Sequence, residues 1–424
     1  VILYNVVIII LALCYVPRYL VSKRRRKLFL SRMGLRLPQK LTEPKKLIWL
    51  HAISLGEMRS SKYLILKLRE KFPDALIYIS AVTETGFEEA KTIPGIDHVF
   101  IMPFDFPWNM SRLFKRLRPH SLILIETDFW FNLAKSAKKY GANLLLVSAK
   151  ISKRSTRRFQ YVSDFTRKLF SFFDVICVQN TAYKRRFEEI GVDPKKIVIT
   201  GNLKYDQETP LLKAKELKSW KEKLGLFKED SIITIASTHA PEEKKIIREM
   251  KKIWETDLSL KILLAPRHPE RFVHVANTLR SEKVPFIELS KIDQKNHTEK
   301  VILVDRMGFL PICYQVSDFA IMGGSYTPKV GGHNILEPNF YSLPVFFGPF
   351  MHTQADLKEM VLYAKSGEHL QLNDYAEFII PFLTDLDKKK EMGTNAKALI
   401  KTLKGRLNVT LDTILPHLEK KTCD

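Results

Sequence analysis

The sequence predicts an α/β protein of two successive doubly wound, Rossmann-like domains with a cleft between them. Three observations lead there. From Lys46 to Asp206, short apolar runs alternate with segments of helical period. The pattern breaks at Gln207 to Pro210 and then restarts. Late in the second series the apolar run DFAIM leads straight into a glycine-rich stretch, Gly323 to Pro338. Apolar runs of roughly four to eight residues, separated by helical segments, are the mark of parallel strands covered on both faces. A chain of 424 residues is too long for one ordinary core and suits two or three domains.

Taken in order, Val1 to Val16 is almost wholly apolar, with Asn5 its one strongly polar residue. Pro17 and Arg18 follow, then Tyr19 to Val21 and the basic run Lys23 to Lys27. A spanning helix needs about 20 apolar residues, so the run is slightly short. A cleaved signal peptide carries its charges before its apolar run, not after it. The expectation is therefore a single-pass signal anchor over residues 1–27, with the rest of the chain on the cytoplasmic side. The other reading is a helix lying in the membrane interface.

The first domain is expected over residues 38–207. Its strand candidates are LIWLHAI, LIYISAV, HVFIMPF, SLILIE, NLLLVSA, DVICVQ and KIVITG. Helical period appears at Met58 to Phe72, Trp108 to Leu117 and Thr181 to Ile190. The second domain is expected over residues 211–424. Its strands read SIITIAS, KILLAP, VILVD, DFAIM and PVFFG, its helices include Pro241 to Trp254 and Pro269 to Leu279, and a basic helical tail closes the chain.

Composition narrows the partners. Lys and Arg number 69 against 46 Asp and Glu, a formal charge of +23. That excess calls for an anionic partner: nucleic acid, acidic lipid or a phosphorylated substrate. The four cysteines, Cys14, Cys177, Cys313 and Cys423, form no CxxC pair, which speaks against a disulfide framework or zinc site and for a reducing compartment. His51, His239, His268 and His333 lack the spacing of a metal-binding helix.

Candidate chemistry gathers where strands end. HAISLGE places Glu57 on the opening turn of a helix, where the dipole keeps a carboxylate ionised. That suits a general base, at some cost in basicity, and it equally suits an ordinary first-turn residue. Glu126 and Asp128 lie just past SLILI. They suit orientation of an acceptor, or plain pairing with nearby lysines. Lys204, in GNLKYD, can neutralise an anion or be one of many surface lysines. Arg267 suits a bidentate phosphate contact, which His268 can join. Met307, Gly308 and Phe309 open a helix after VILVD. In the glycine-rich stretch, Asn334, Ile335 and Leu336 read as a helix start aimed at an anion, with Glu337 placed for ribose hydroxyls. The glycines there would let a ligand approach the backbone.

HAISLGE, ETDFWFN, GNLKYD, ASTHAPEE, APRHPERF, RMGFLP and GGSYTPKVGGHNILEP occur in one order from Trp49 to Pro338. Together they resemble the 3-deoxy-D-manno-octulosonic acid (Kdo) transferases, which add Kdo to lipid A precursors. The resemblance implies a GT-B fold, with the acceptor on the first domain and the donor mainly on the second. It implies an inverting reaction with CMP-Kdo and no metal or other cofactor, at the anionic inner-membrane surface. Residue by residue, Glu57 matches the family's general base, and Glu126 and Lys204 match positions that support the transition state. Pro266, Arg267, Met307, Gly308, Phe309, Asn334, Ile335, Leu336 and Glu337 match its CMP-binding segments. The chain departs from the family at Phe309, usually Glu, and at Ser148, Ala149 and Lys150, usually Asn-Ala-Arg. Asp128 and Phe131 stand where Glu and Pro are usual. The departures bear on acceptor handling and on the number of Kdo residues added. The competing expectation is another lipid-directed GT-B glycosyltransferase with a different nucleotide-sugar donor. A membrane-tethered binder of nucleic acid rests on charge alone, with no RNA-binding signature to support it.

Overall fold

The computed structural model describes residues 1–20, 23–42, 45–206, 209–256, 258–292 and 298–420. The chain divides into two compact units: Val1–Gln207 with Leu403–Asp424, and Glu208–Thr402. The expected break begins at Gln207 and Glu208, and these two residues lie outside the described set.

The first unit holds a seven-stranded parallel sheet: β1 (Leu47–Ala52), β2 (Leu76–Ala81), β3 (His98–Ile101), β4 (Ser121–Ile125), β5 (Asn143–Ala149), β6 (Val175–Val178) and β7 (Ile197–Ile199). The strand order is β3-β2-β1-β4-β5-β6-β7. Every expected run became a strand, and the central ones, β1, β4 and β5, are buried on both faces. Trp49, Leu122 and Leu124 pack on one side with Phe114 and Phe131. Ile48, Leu50 and Ile123 pack on the other with Met58 and Leu64. The order reverses between β1 and β4, which pair with Trp49 opposite Leu122. Such a reversal leaves a crevice beyond the strand C-termini.

The chain's last helix, Arg406–Glu419, belongs to this first unit, which corrects the expected 211–424 boundary. Leu411, Ile414 and Leu418 are buried with Ile48 and Leu50. The Asp206 carboxylate accepts from the Gly405 N–H at 2.5 Å and from the Leu407 N–H, tying the helix start to the end of the first sheet's chain.

The N-terminal helix Ile2–Leu20 docks on the same unit rather than standing apart. The Tyr4 hydroxyl donates to buried Asp105 at 2.7 Å, and Asn132 Nδ2 donates to the Asn5 side chain at 2.8 Å. The Tyr4 ring also meets Phe131 and Phe165. Ile2, Leu3, Val6, Val7, Ile10, Leu11 and Leu13 face outward and are exposed. Among the described residues no helix is long and apolar enough to cross a membrane, so the expected single-pass anchor is not shown. Val21 and the side chains of Arg18, Lys23, Arg24, Arg25 and Lys27 lie outside the described set.

The second unit repeats the plan with β8 (Ser231–Thr238), β9 (Leu260–Pro266), β10 (Phe286–Glu288), β11 (Val301–Leu303), β12 (Phe319–Met322), β13 (Val345–Phe347) and β14 (Gly367–His369). The order is β10-β11-β9-β8-β12-β13-β14, again parallel, and it reverses between β8 and β12. The edge strands β10 and β14 were not anticipated. Their sequences, FIE and GEH, carry charged or polar residues and form no apolar run.

Candidate active site

In the first unit the candidate residues gather at the β1–β4 switch. Glu57 sits in the first turn of the helix Leu55–Lys71, after β1. Its Oε2 accepts from the backbone N–H of Ile53 at 2.6 Å and of Ser54 at 3.2 Å, and Ser54 Oγ accepts from the Glu57 N–H. This is a capping box, so the ordinary first-turn reading holds. Helix position was expected to keep Glu57 ionised and weaken it as a base. Burial wins instead: desolvation and then the Glu126 charge raise its pKa, against the two backbone N–H groups and Lys204.

Glu126 follows β4 in a left-handed backbone conformation, φ 66°. That geometry is uncommon without glycine, and it is held by the sheet: the Glu126 N–H donates to Val147 O at 2.9 Å. The carboxylate is clamped between two ammonium groups, Lys204 Nζ at 2.5 Å from Oε1 and Lys150 Nζ at 2.6 Å from Oε2. Burial works to raise the Glu126 pKa, and the two lysines together outweigh it, leaving it below the usual range. Lys204 is placed by a short turn, Leu203–Asp206, whose Lys204 N–H donates to Asn202 Oδ1.

Asp128 differs. It is fully buried, no lysine reaches it, and both oxygens lack a hydrogen-bond partner. His51 Nε2 lies 3.8 Å from its Oδ2. Burial, then Glu57 and Glu126, push its pKa well above the usual carboxylate range. His51 is pushed down to about 3 by burial and is neutral. Its Nδ1 lies 2.8 Å from Ser80 Oγ, which also accepts from Trp49 Nε1 at 2.8 Å. Nδ1 also lies 3.2 Å from Ser80 O, which can only accept, so the His51 N–H sits on Nδ1 and donates to Ser80, and bare Nε2 faces Asp128. The lysine-paired reading fits Glu126 and fails for Asp128.

In the second unit the loops after β8, β9, β11 and β12 carry the remaining candidates. Glu242, at the start of the helix Glu242–Trp254, ties two of them together. Its Oε1 accepts from the His239 N–H at 2.8 Å and the Gly324 N–H at 2.6 Å, and Oε2 accepts from the Thr327 hydroxyl at 3.2 Å. Burial pushes it up to about 7. His239 Nε2 and His333 Nε2 are 2.8 Å apart, and the His268 ring stands edge-on to His239 at 5.3 Å. Arg267 is exposed, and its charge acts on His239, His333 and Glu337.

Several side chains do not reach out as expected. Pro266, Ile335 and Leu336 are buried in the core and offer a ligand only backbone. The Phe309 ring is buried edge-on against Trp220, so no ring face is free for a base. Met307 is 59% exposed. The expected helix start at Asn334 is a single turn, Leu336–Asn339, capped by Asn334 Oδ1 accepting from the Leu336 N–H. One turn has too few aligned peptides for a strong dipole. The glycines serve the protein's own packing more than a ligand. A Cβ on Gly323 would lie 2.6 Å from Thr238 Cα and 2.7 Å from Glu242 Oε1. Gly332 has φ 92°, and a Cβ there would meet Met351 Sδ. His239, Glu242 and His333 were missed as functional candidates. ASTHAPEE signals a helix start, but nothing in it says that its first glutamate reaches a loop 82 residues away. No group of three or more His, Cys, Asp or Glu suited to a metal occurs among the described residues.

Two parallel sheets, each with charged groups at its switch point, define a Rossmann-like α/β protein. The same fold occurs in a glycosyltransferase from Rickettsia africae (16% identity, TM-score 0.60, 89% of this chain and 100% of that one). It also occurs in the UDP-GlcNAc 2-epimerase from Neisseria meningitidis (13% identity, TM-score 0.60, 88% of this chain and 100% of that one). Fold alone therefore does not separate transfer from epimerisation. Sequence does. Residues 27–207 match the family model of 3-deoxy-D-manno-octulosonic-acid transferase (kdotransferase). The 3-deoxy-D-manno-octulosonic acid transferase of Chlamydia muridarum is 32% identical over 87% of this chain and 85% of its own length. That of Haemophilus influenzae is 31% identical over 89% and 88%. The chain belongs to the Kdo transferase family.

Proposed function

We propose that this enzyme transfers Kdo from CMP-Kdo to a lipid A precursor in lipopolysaccharide biosynthesis, with inversion and without a metal, and that it can add more than one Kdo. The observation that carries the reading is Glu57, a mostly buried carboxylate of raised pKa at the β1–β4 switch, beside the clamped Glu126. Glu57 takes the proton of the attacking hydroxyl, on the glucosamine or on a Kdo already added. The oxygen then bonds to the anomeric carbon from the face opposite CMP. The bond from that carbon to the CMP phosphate oxygen breaks, and CMP leaves with the electron pair. The raised pKa makes Glu57 a stronger base than an ordinary carboxylate. Glu126 with Lys150 and Lys204 carries a net charge of +1 and supports charge developing at the reacting centre. Arg267 and His268, with the backbone of Pro266, Met307, Gly308, Phe309 and Asn334–Glu337, would hold CMP.

The same reading puts the enzyme at the cytoplasmic face of the inner membrane. The outward apolar face of the N-terminal helix supports this. Its inward face is committed to Asp105 and Asn132, so the helix lies against the bilayer rather than across it.

The test is a donor screen with a tetra-acylated lipid A precursor, read by product mass. CMP-Kdo is expected to be used at least a hundredfold better than UDP- or GDP-linked sugars, the scale of discrimination a polar site reaches. Equal or better use of another donor would replace this reading with the second glycosyltransferase reading.

A further inference from the structure

We propose that the exposed face of the helix Lys153–Tyr161 is a phosphate-binding strip that holds the phosphate groups of the acceptor lipid. The inference rests on the acceptor reading above and adds a site to it.

Arg154, Arg157, Arg158 and Tyr161 stand at i, i+3, i+4 and i+7, and so form one stripe along the helix. All four are exposed, Tyr161 at 89%. The opposite face is fixed. Thr156 is buried, and Phe159 packs edge-on against Phe129 and Phe170. Arg186 Nη1 donates to Ile151 O at 2.9 Å and holds the helix start.

The stripe is unneutralised. No Asp or Glu occurs from Ser148 to Ser163. Among the described residues none of the three arginines has a carboxylate partner. Other helices of this unit neutralise some of their cations: Arg59 pairs with Glu89, Lys67 with Glu70, Arg167 with Asp164. Like charges at i+3 and i+4 destabilise a helix. A phosphate lying along the stripe would remove that repulsion and accept forked guanidinium contacts.

Its location matches a phosphorylated glycolipid. Lys150, three residues before the helix, reaches Glu126, and Phe159 packs on Phe129, the residue after Asp128. The helix is therefore fastened to the candidate catalytic loop. At its far end the chain turns at Val162 into the helix Ser163–Ser171, whose Phe165 touches Tyr4 of the apolar N-terminal helix. Carboxylates, arginines and an apolar face, suited to the sugar, phosphate and acyl parts of such a lipid, are thus carried on elements in mutual contact.

The experiment compares wild type with Arg154→Gln/Arg157→Gln/Arg158→Gln and with the matching triple Lys variant, in nonionic micelles. Acceptors are the bisphosphorylated tetra-acyl precursor and the same lipid with its phosphates removed. The Gln variant is expected to raise KM for the phosphorylated acceptor about tenfold or more, with kcat changed less than about threefold. For the dephosphorylated acceptor, wild type and Gln variant should share one high KM. The Lys variant should restore part of the difference. An unchanged KM in the Gln variant, or an equal change with both acceptors, overturns the proposal. So does a loss confined to binding of anionic vesicles, which would assign the stripe to the bilayer surface. Absence of transfer by wild type would instead sink the acceptor reading itself.

Discussion

Glu57 accepts two backbone N–H groups with one oxygen of its carboxylate, which under the proposed mechanism leaves the other for the attacking hydroxyl. A base must be unprotonated, so its raised pKa moves the acid limb of the rate profile upward. The limb of kcat/KM against pH should therefore lie above the range of an unperturbed glutamate, near 4.5. Lys204 pulls the Glu57 pKa down, so Lys204→Met should move the limb higher still. A limb that shifts down, or stays put while activity falls, would detach Lys204 from Glu57. Asp128 carries a different expectation. A buried carboxyl with a strongly raised pKa is held neutral, and an amide of the same shape replaces it at little cost. Asp128→Asn should melt no lower than wild type, while a drop of several degrees would mean that the charge is needed. The carboxylates themselves were legible because they follow apolar strands. Which of them is clamped by lysines and which is isolated was not. That is decided by Lys150 and Lys204, which are 24 and 78 positions from Glu126 (150 − 126 and 204 − 126).

At the scale of elements, Glu242 joins the loops after β8 and β12 through two backbone donors and a hydroxyl. Glu242→Ala would leave the His239 and Gly324 N–H groups without their acceptor. It should cost about 1–3 kcal/mol in urea unfolding and weaken CMP binding more than it weakens binding of the lipid. Unchanged CMP affinity would remove the β12 loop from the donor site. The N-terminal helix is held in a similar way at buried Asp105, on which the Tyr4 hydroxyl, the Asn132 and Leu133 N–H groups and the Arg32 charge converge. Asp105→Asn should expose that helix to limited proteolysis while the sheet stays folded, and unchanged cleavage would contradict the docking. The long strands and the amphipathic helices were legible from period and run length. The edge strands β10 and β14 form no apolar run, and the one-turn Leu336–Asn339 carries too few residues to show a period. The glycines were read as room for a ligand, but neighbours such as Thr238 and Met351 occupy that space.

For the whole molecule, two doubly wound units were readable because alternation stops and restarts. The return of the last helix to the first unit was not, since its apolar positions fit either core and Asp206 decides between them. The net charge of +23 signalled an anionic partner without naming it. Family membership, and the acid-free arginine helix beside the candidate active site, turn that signal toward a phosphorylated lipid. The most direct measurement is Kdo transfer from CMP-Kdo to a tetra-acylated lipid A precursor, with chelator present, read by mass spectrometry for wild type and Glu57→Ala. Wild type is expected to add Kdo at full rate without divalent ions, and the variant to fall by about 10²–10⁴-fold, the usual weight of a general base. A folded Glu57→Ala protein that still transfers Kdo, or a wild type silenced by chelator and restored by a divalent ion, would contradict the account.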